Sequence, residues 1–254
     1  MYIFEYSELI RNLVISDLKV KYQSSFLGFA WSMLNPLLMM LVLYAVFQNI
    51  FKFEQEHFAL YLLIGIIAWR FLSIGTMTAM GSIVGKPSLV TKIYIPREIL
   101  TFSITMSAFI SSILEFTVLI PLMLILGAPI SITILLFPVV HALYFIIVYG
   151  LSLVLSALYV YFRDLNQIWD ILLQIGFYVS PPIIYPLTMV PEKYLLYYTL
   201  NPITRLIMMY RDILLFGNFP TVLDFLIVGG FGVVFLAFGS AVFKRLSLRF
   251  AEEV

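Results

Sequence analysis

An all-α integral membrane fold of about six spans is what this sequence predicts, and three observations predict it. The chain is 62% hydrophobic and 11% charged, against about 25% charged in soluble domains. With a mean hydropathy of +1.03, it cannot cover its surface in water, so most of its solvent is lipid. The apolar residues gather into runs, several of which exceed the roughly 20 residues that cross a bilayer as helix. Lys and Arg are also sorted unevenly between the gaps. A net charge of +1 gives no bulk argument for nucleic acid, and zero Cys excludes disulfides, thiolate metal sites and a Cys nucleophile. Two His are too few for a multi-His metal site.

The elements follow in order. Residues 4–24 alternate apolar and charged positions, with Phe4, Leu9, Leu13 and Leu18 on one stripe. The stretch is too charged to span and suits an amphipathic helix in the interface, either as an anchor or as part of a substrate entry. It lacks the basic, apolar and small-residue regions of a signal peptide. Apolar runs then cover Phe26–Phe51, Phe58–Val84, Ile99–Leu126 and Ile132–Tyr161. A fifth begins near Leu165 but meets Pro181-Pro182. Its helix is roughly 24 Å long, short of a ~30 Å hydrocarbon core, so the span is broken and the chain after it re-enters. Residues 191–220 are mixed, and a last run covers Val222–Phe243. The whole of 1–254 reads as one transmembrane domain with no repeat.

With the N-terminus inside, inner segments hold ten Lys and Arg and outer segments four (Lys52, Lys193, Arg205 and Arg211). That asymmetry places both termini in the cytoplasm. Residues 86–97, KPSLVTKIYIPR, form a polar, basic inner loop between long apolar runs. Gly81 to Lys86 resembles a phosphate loop but has three residues between its glycines instead of four, and Pro87 follows the Lys. The glycines suit close helix approach instead.

Ionisable residues inside spans mark functional candidates. Arg70 and Glu115 both lie about 12 residues from the outer ends of their spans, roughly 18 Å in, and are expected to pair. Such a pair serves packing or contacts substrate. Ser103, Ser107 and Ser111 share one face, fit for a helix contact or a pore lining. Arg163, Gln167, Asp170 and Gln174 form a row that a lipid-facing wall cannot carry; it faces a partner helix or a hydrated conduit. Tyr44, Tyr61, Trp69, Tyr178 and Tyr185 are aromatic candidates for stacking on sugar faces, against a core or interfacial role.

Several stretches carry a resemblance along nearly the whole chain: Asp17-Leu18-Lys19-Val20-Lys21-Tyr22, Leu27-Gly28-Phe29-Ala30-Trp31-Ser32-Met33-Leu34-Asn35-Pro36, Ile95-Pro96-Arg97-Glu98, Arg163-Asp164-Leu165, Ser180-Pro181-Pro182-Ile183-Ile184-Tyr185 and Leu200-Asn201-Pro202. In order and spacing they are similar to the membrane permeases of polysaccharide ABC exporters, the type-2 exporter family that moves O-antigen, teichoic acid or capsule.

The resemblance implies a homodimer of permeases in the bacterial cytoplasmic membrane, bound to two separate ATPase subunits that hold ATP and Mg, with no cofactor in this chain. It implies a coupling helix docked on the ATPase, carried over to Lys86, Pro87, Ser88, Leu89, Val90, Thr91, Lys92, Ile93, Tyr94, Pro96 and Arg97. The substrate implied is a polyprenyl-pyrophosphate-linked polysaccharide, with Lys19, Lys21 and Arg97 attracting its head group. The aromatics and the Arg163 row would line a conduit at the dimer interface, and residues 183–216 would form two short re-entrant or outer helices before the last span of a single permease domain, 1–254. A drug or lipid ABC permease shares the fold. A secondary transporter would have broken helices in both halves, and only the fifth span is broken here. An intramembrane enzyme would need clustered acid–base or metal groups.

Overall fold

A computed structural model describes residues 5–23, 28, 30–50, 55–92 and 95–253, and among them every regular element is helical. Phe4, Phe26, Leu27, Phe29, Phe51, Lys52, Ile93 and Tyr94, named above, lie outside the described residues. Helix α1, Ser7–Tyr22, places Glu8 in its first turn and Lys19 and Lys21 in its last, the charge order that the helix dipole favours. Helix α2 is Ala30–Asn49, with Pro36 inside it; proline has no N–H to give the Ser32 carbonyl. Helix α3 is Phe58–Met80, and the short α4 is Pro87–Lys92.

The third apolar run is not one straight helix. It divides at Val118 into α5, Glu98–Thr117, and α6, Leu119–Ile125. Pro121 lacks the N–H that Thr117 would otherwise receive, and Val118 instead closes a tighter bond on Glu115 at 3.3 Å. A 3₁₀ turn, Ile132–Leu136, leads into α7, Phe137–Tyr161, with proline in its first turn. Next come α8, Leu165–Val179, and α9, Pro181–Ile184. Helices α10, Glu192–Leu200, and α11, Pro202–Arg211, run into a π-helical turn, Asp212–Phe216. Helix α12, Val222–Ser247, opens on a capping box between Thr221 and Asp224, and α13 is Phe250–Glu253.

Five stretches among the described residues are long and apolar enough to cross a bilayer: Ala30–Asn49, Phe58–Met80, Glu98–Ile125, Ile132–Tyr161 and Val222–Ser247. The expected fifth span is α8, whose 15 residues reach only about 22 Å. Helix α3 is the hub. Its apolar window is 72% buried, against 17% for both α2 and α12. It packs against α2, α5, α7 and α8, while α9 and α11 also pack on α3, and the π turn meets the 3₁₀ turn before α7.

The most extensive pairing is α7 with α12. A Cβ on Gly239 would stand 2.2 Å from the Gly150 carbonyl oxygen, and one on Gly150 would stand 2.6 Å from the Phe235 backbone. Only hydrogen fits at either position, so the two backbones touch, as small residues allow in membranes. The close crossing lies here and not at Gly81 and Gly85. Those two occupy the turn after α3, with no neighbouring helix against them. Gly239→Ala is therefore expected to cost about 1–3 kcal/mol by overpacking. Gly229→Ala, where nothing lies within 4 Å, leaves stability unchanged; thermal unfolding in detergent compares the two.

Candidate functional site

Three neighbourhoods hold the candidate residues. At the inner end, Lys86 begins α4, its carbonyl accepting from Leu89 at 3.1 Å and Val90 at 3.3 Å. Pro87 follows without an N–H to satisfy, and the Thr91 hydroxyl closes the turn on the Pro87 carbonyl at 3.0 Å. The helix has an outward and an inward side. Pro87, Ser88 and Thr91 are exposed, Lys86 and Leu89 half-buried, and Val90 is buried with Ile83, Leu100, Phe243 and Phe250. Pro96 and Arg97 are half-buried. Arg97 donates to the Ser247 carbonyl at the end of α12 and lies 5.9 Å from the Phe250 ring. Lys19 and Lys21 are exposed on α1, in a different neighbourhood from Arg97.

In the middle, the structure brings Arg70 and Glu115 together. Arg70 Nε donates to Glu115 Oε2 at 3.2 Å and Nη2 to Oε1 at 3.4 Å, while Nη1 donates to Asn35 Oδ1 at 3.0 Å. The Glu115 side chain is 4% exposed and that of Arg70 19%. One guanidinium thus ties α2, α3 and α5.

Below this pair, α1 does not stand apart from the bundle. Its buried stripe is Ile10 and Val14, packed with Ile99, Phe102 and Met106 of α5; Leu9, Leu13 and Leu18 lie at the edges. The predicted stripe is off by one position because several apolar residues neighbour one another there. Ser107 donates to Asp17 Oδ2 at 2.5 Å, so the serine track meets a helix. A half-open cleft of about 180 Å³ lies between α1, α3 and α5, lined by Asp17, Lys21, Ile74, Thr78, Ile104 and Ser107 among others. Beyond it, Ser111 and Ser112 bury hydroxyls without a hydrogen-bond partner beside Lys21, Arg70 and Glu115.

At the outer end, Tyr61 faces no open surface. It is 4% exposed, with the Arg211 guanidinium carbon 3.2 Å from its ring centre. Arg211 is 2% exposed and donates to the Tyr61 carbonyl at 2.9 and 3.2 Å and to the Ile183 carbonyl at 3.3 Å. Gly65 makes room, since a Cβ there would lie 2.7 Å from the Ile183 carbonyl oxygen. The clamp fixes α9 and α11 to α3. Sequence reasoning counted Arg211 only as an outer positive charge; the one available signal was a charge in an otherwise apolar stretch. Arg205, counted likewise, pairs with Asp224 and donates to the Thr199 carbonyl.

The other aromatic candidates divide. Tyr44 packs against Phe58 at 6.3 Å and Trp69 against Phe177 at 6.3 Å, both half-buried. Tyr185 is half-buried and Tyr178 is 65% exposed.

Helix α8 has three faces. Trp169, whose indole donates to Thr76 Oγ1 at 2.8 Å, and buried Leu173 and Phe177 turn to the hub. Gln167, Asp170 and Gln174 are exposed on a second face, where Gln174 donates to Asp170 Oδ2 at 2.7 Å; Arg163, expected in the same row, is exposed in the turn before the helix and lies over Tyr159. Ile168, Ile171 and Ile175 are exposed on the third. Among the described residues no three His, Cys, Asp or Glu side chains gather as a metal site.

Residues 8–215 match the ABC-2 type transporter family, and the chain belongs to it. It is a multi-pass membrane transporter subunit. Two proteins of Klebsiella pneumoniae, each named O-antigen export system permease protein RfbA, are 27% and 28% identical to it over 256 and 254 residues, covering 99% of this chain and 95% of theirs. The protein of that name from Myxococcus xanthus is 30% identical over 258 residues, covering 99% of this chain and 97% of its own length.

Glu115→Leu leaves Arg70 without its carboxylate and is expected to cost about 3 kcal/mol. Adding Arg70→Met recovers most of that loss, because no unpaired charge then remains. A double-mutant cycle on thermal stability in detergent measures the coupling.

Proposed function

We propose that this chain is the membrane-spanning subunit of an ATP-driven exporter that moves O-antigen-like polysaccharide, carried on polyprenyl pyrophosphate, from the cytoplasm across the inner membrane. The observation that carries the reading is the end-to-end similarity to permeases named for O-antigen export. ATP and Mg belong to a separate ATPase dimer. Both termini and residues 86–97 face the cytoplasm, and the outward side of α4, with Pro87, Ser88 and Thr91, is the surface the ATPase grips.

A second copy of the chain completes the path. The polar face of α8 lines it, with Gln167, Asp170 and Gln174, and Arg163 in the turn before the helix, offering hydrogen bonds to a hydrated glycan and exposed Tyr178 a stacking surface. Lys19 and Lys21 on the exposed side of α1 attract the pyrophosphate as point charges. Arg97, already engaged on Ser247, serves the coupling side first. The protein does no bond-breaking of its own: ATP closure in the partner pushes α4, and the spans around α3 shift to open the path.

Thr91→Trp, on the exposed side of α4, is expected to abolish co-purification of the ATPase while leaving the permease level in the membrane unchanged. Deleting the subunit is expected to leave an O-antigen-like polymer inside the cell. Accumulation of teichoic acid, capsule or a lipid instead would reassign the cargo, and an unchanged surface polymer with no bound ATPase would remove the reading.

A further inference from the structure

The residues of α13 belong to no span and to no expected site, yet Phe250 is 0% exposed. It sits in a small cluster with Val90 of α4, Ile83 at the end of the α3 turn, Leu153 and Val160 of α7, and Phe243 of α12. Its ring meets Phe243 edge-on at 5.4 Å and Tyr161 at 6.2 Å. The last carbonyls of α12, which have no partner within the helix, are taken by side chains from two other segments. Tyr161, at the end of α7, donates to the Leu246 carbonyl at 2.8 Å. Arg97, at the end of the inner loop, donates to the Ser247 carbonyl and lies over Phe250. The inner loop is therefore joined to the last span at two points: through Val90 by packing in the cluster that holds Phe243 and Phe250, and through Arg97 by a charge-assisted bond.

We propose that α13, through Phe250, is part of the coupling apparatus. It welds α4 to the inner ends of α7 and α12, so that a push on α4 reaches the last span as well as the hub. A side chain that merely finished the fold would need only an apolar environment. This one is set between the element proposed to receive force and two spans, and the polar bonds on either side of it link the same three parts. The consequence is that α12, which touches α3 little but α7 extensively, is driven from the cytoplasmic end and carries α7 with it through the Gly150–Gly239 crossing.

The inference rests on the proposed ATPase partnership, and the experiment separates the two. Full-length chain, Phe250→Ala and Phe250→Leu are expressed in cells lacking the native subunit. Permease level, co-purified ATPase and its hydrolysis rate, and surface polymer are then measured. For Phe250→Ala, permease level, bound ATPase and hydrolysis are expected to stay near those of the parent, while surface polymer per permease falls at least about fivefold, the lower end of ordinary coupling. Phe250→Leu, which keeps apolar bulk in the cluster, restores most of the export. Unchanged export per permease overturns the proposal. So does a fall in permease level that accounts for the whole loss of export, since Phe250 then serves folding alone, and so does loss of the bound ATPase, since α13 then serves docking. If the parent chain itself brings down no ATPase, the ATP-driven reading fails, and this proposal with it.

Discussion

A helix bundle dissolved in lipid gains little from hiding apolar surface, because hydrocarbon chains are as apolar as leucine. What holds such helices in register is close backbone contact and the few polar groups that cannot be left alone. The Arg70–Glu115 pair is the tie on which the arrangement of this chain depends. Both partners are deep within spans, where either alone is expensive. Together, with Asn35 taking the third bond, they fix the rotation of α2 and α5 about the hub. The Ser107–Asp17 bond extends the same logic to α1, which is thereby bound along α5.

The two ends of the molecule repeat the pattern with arginine meeting carbonyl groups. At the outer end, Arg211 binds the carbonyls of Tyr61 and Ile183 and rests on an aromatic ring. At the inner end, Arg97 and Tyr161 take the last carbonyls of α12. In each case a backbone oxygen, which every residue possesses, serves as the acceptor for a side chain that the sequence places far away. These joints make the outer helices and the inner loop continuous with the spans, so that displacement at one end has a mechanical route into the rest.

The parts of this organisation that could be read from the sequence are those set by period and length. The equal depth of Arg70 and Glu115 follows from counting residues to each span end, because helix rise is constant. The short fifth span follows from Pro181-Pro182, and the polar row on α8 from spacings of three and four. What could not be read was set by residues distant in the chain. Arg211 owes its role to Gly65 and Ile183, and Tyr61 is closed off by Arg211. Neither relation leaves a local mark. The stripe on α1 was read one position out because Leu9, Ile10, Leu13 and Val14 offer two neighbouring choices, and only packing against Ile99 and Met106 selects between them. The division of the third run at Val118 had its cause in plain view at Pro121, but a run of apolar residues conceals a local bend.

The brevity of α8 has a consequence for the bilayer itself. A helix of about 22 Å cannot match a hydrocarbon layer of about 30 Å, so lipid beside it must thin or give way to protein. Here α9 packs just past its end, against Gly65 two turns inside the start of α3. A low-dielectric slab would therefore be narrower along this wall than beside a full span. On the path proposed along α8, such thinning would lower the cost of dehydrating a polar cargo by geometry, before any side chain touched it.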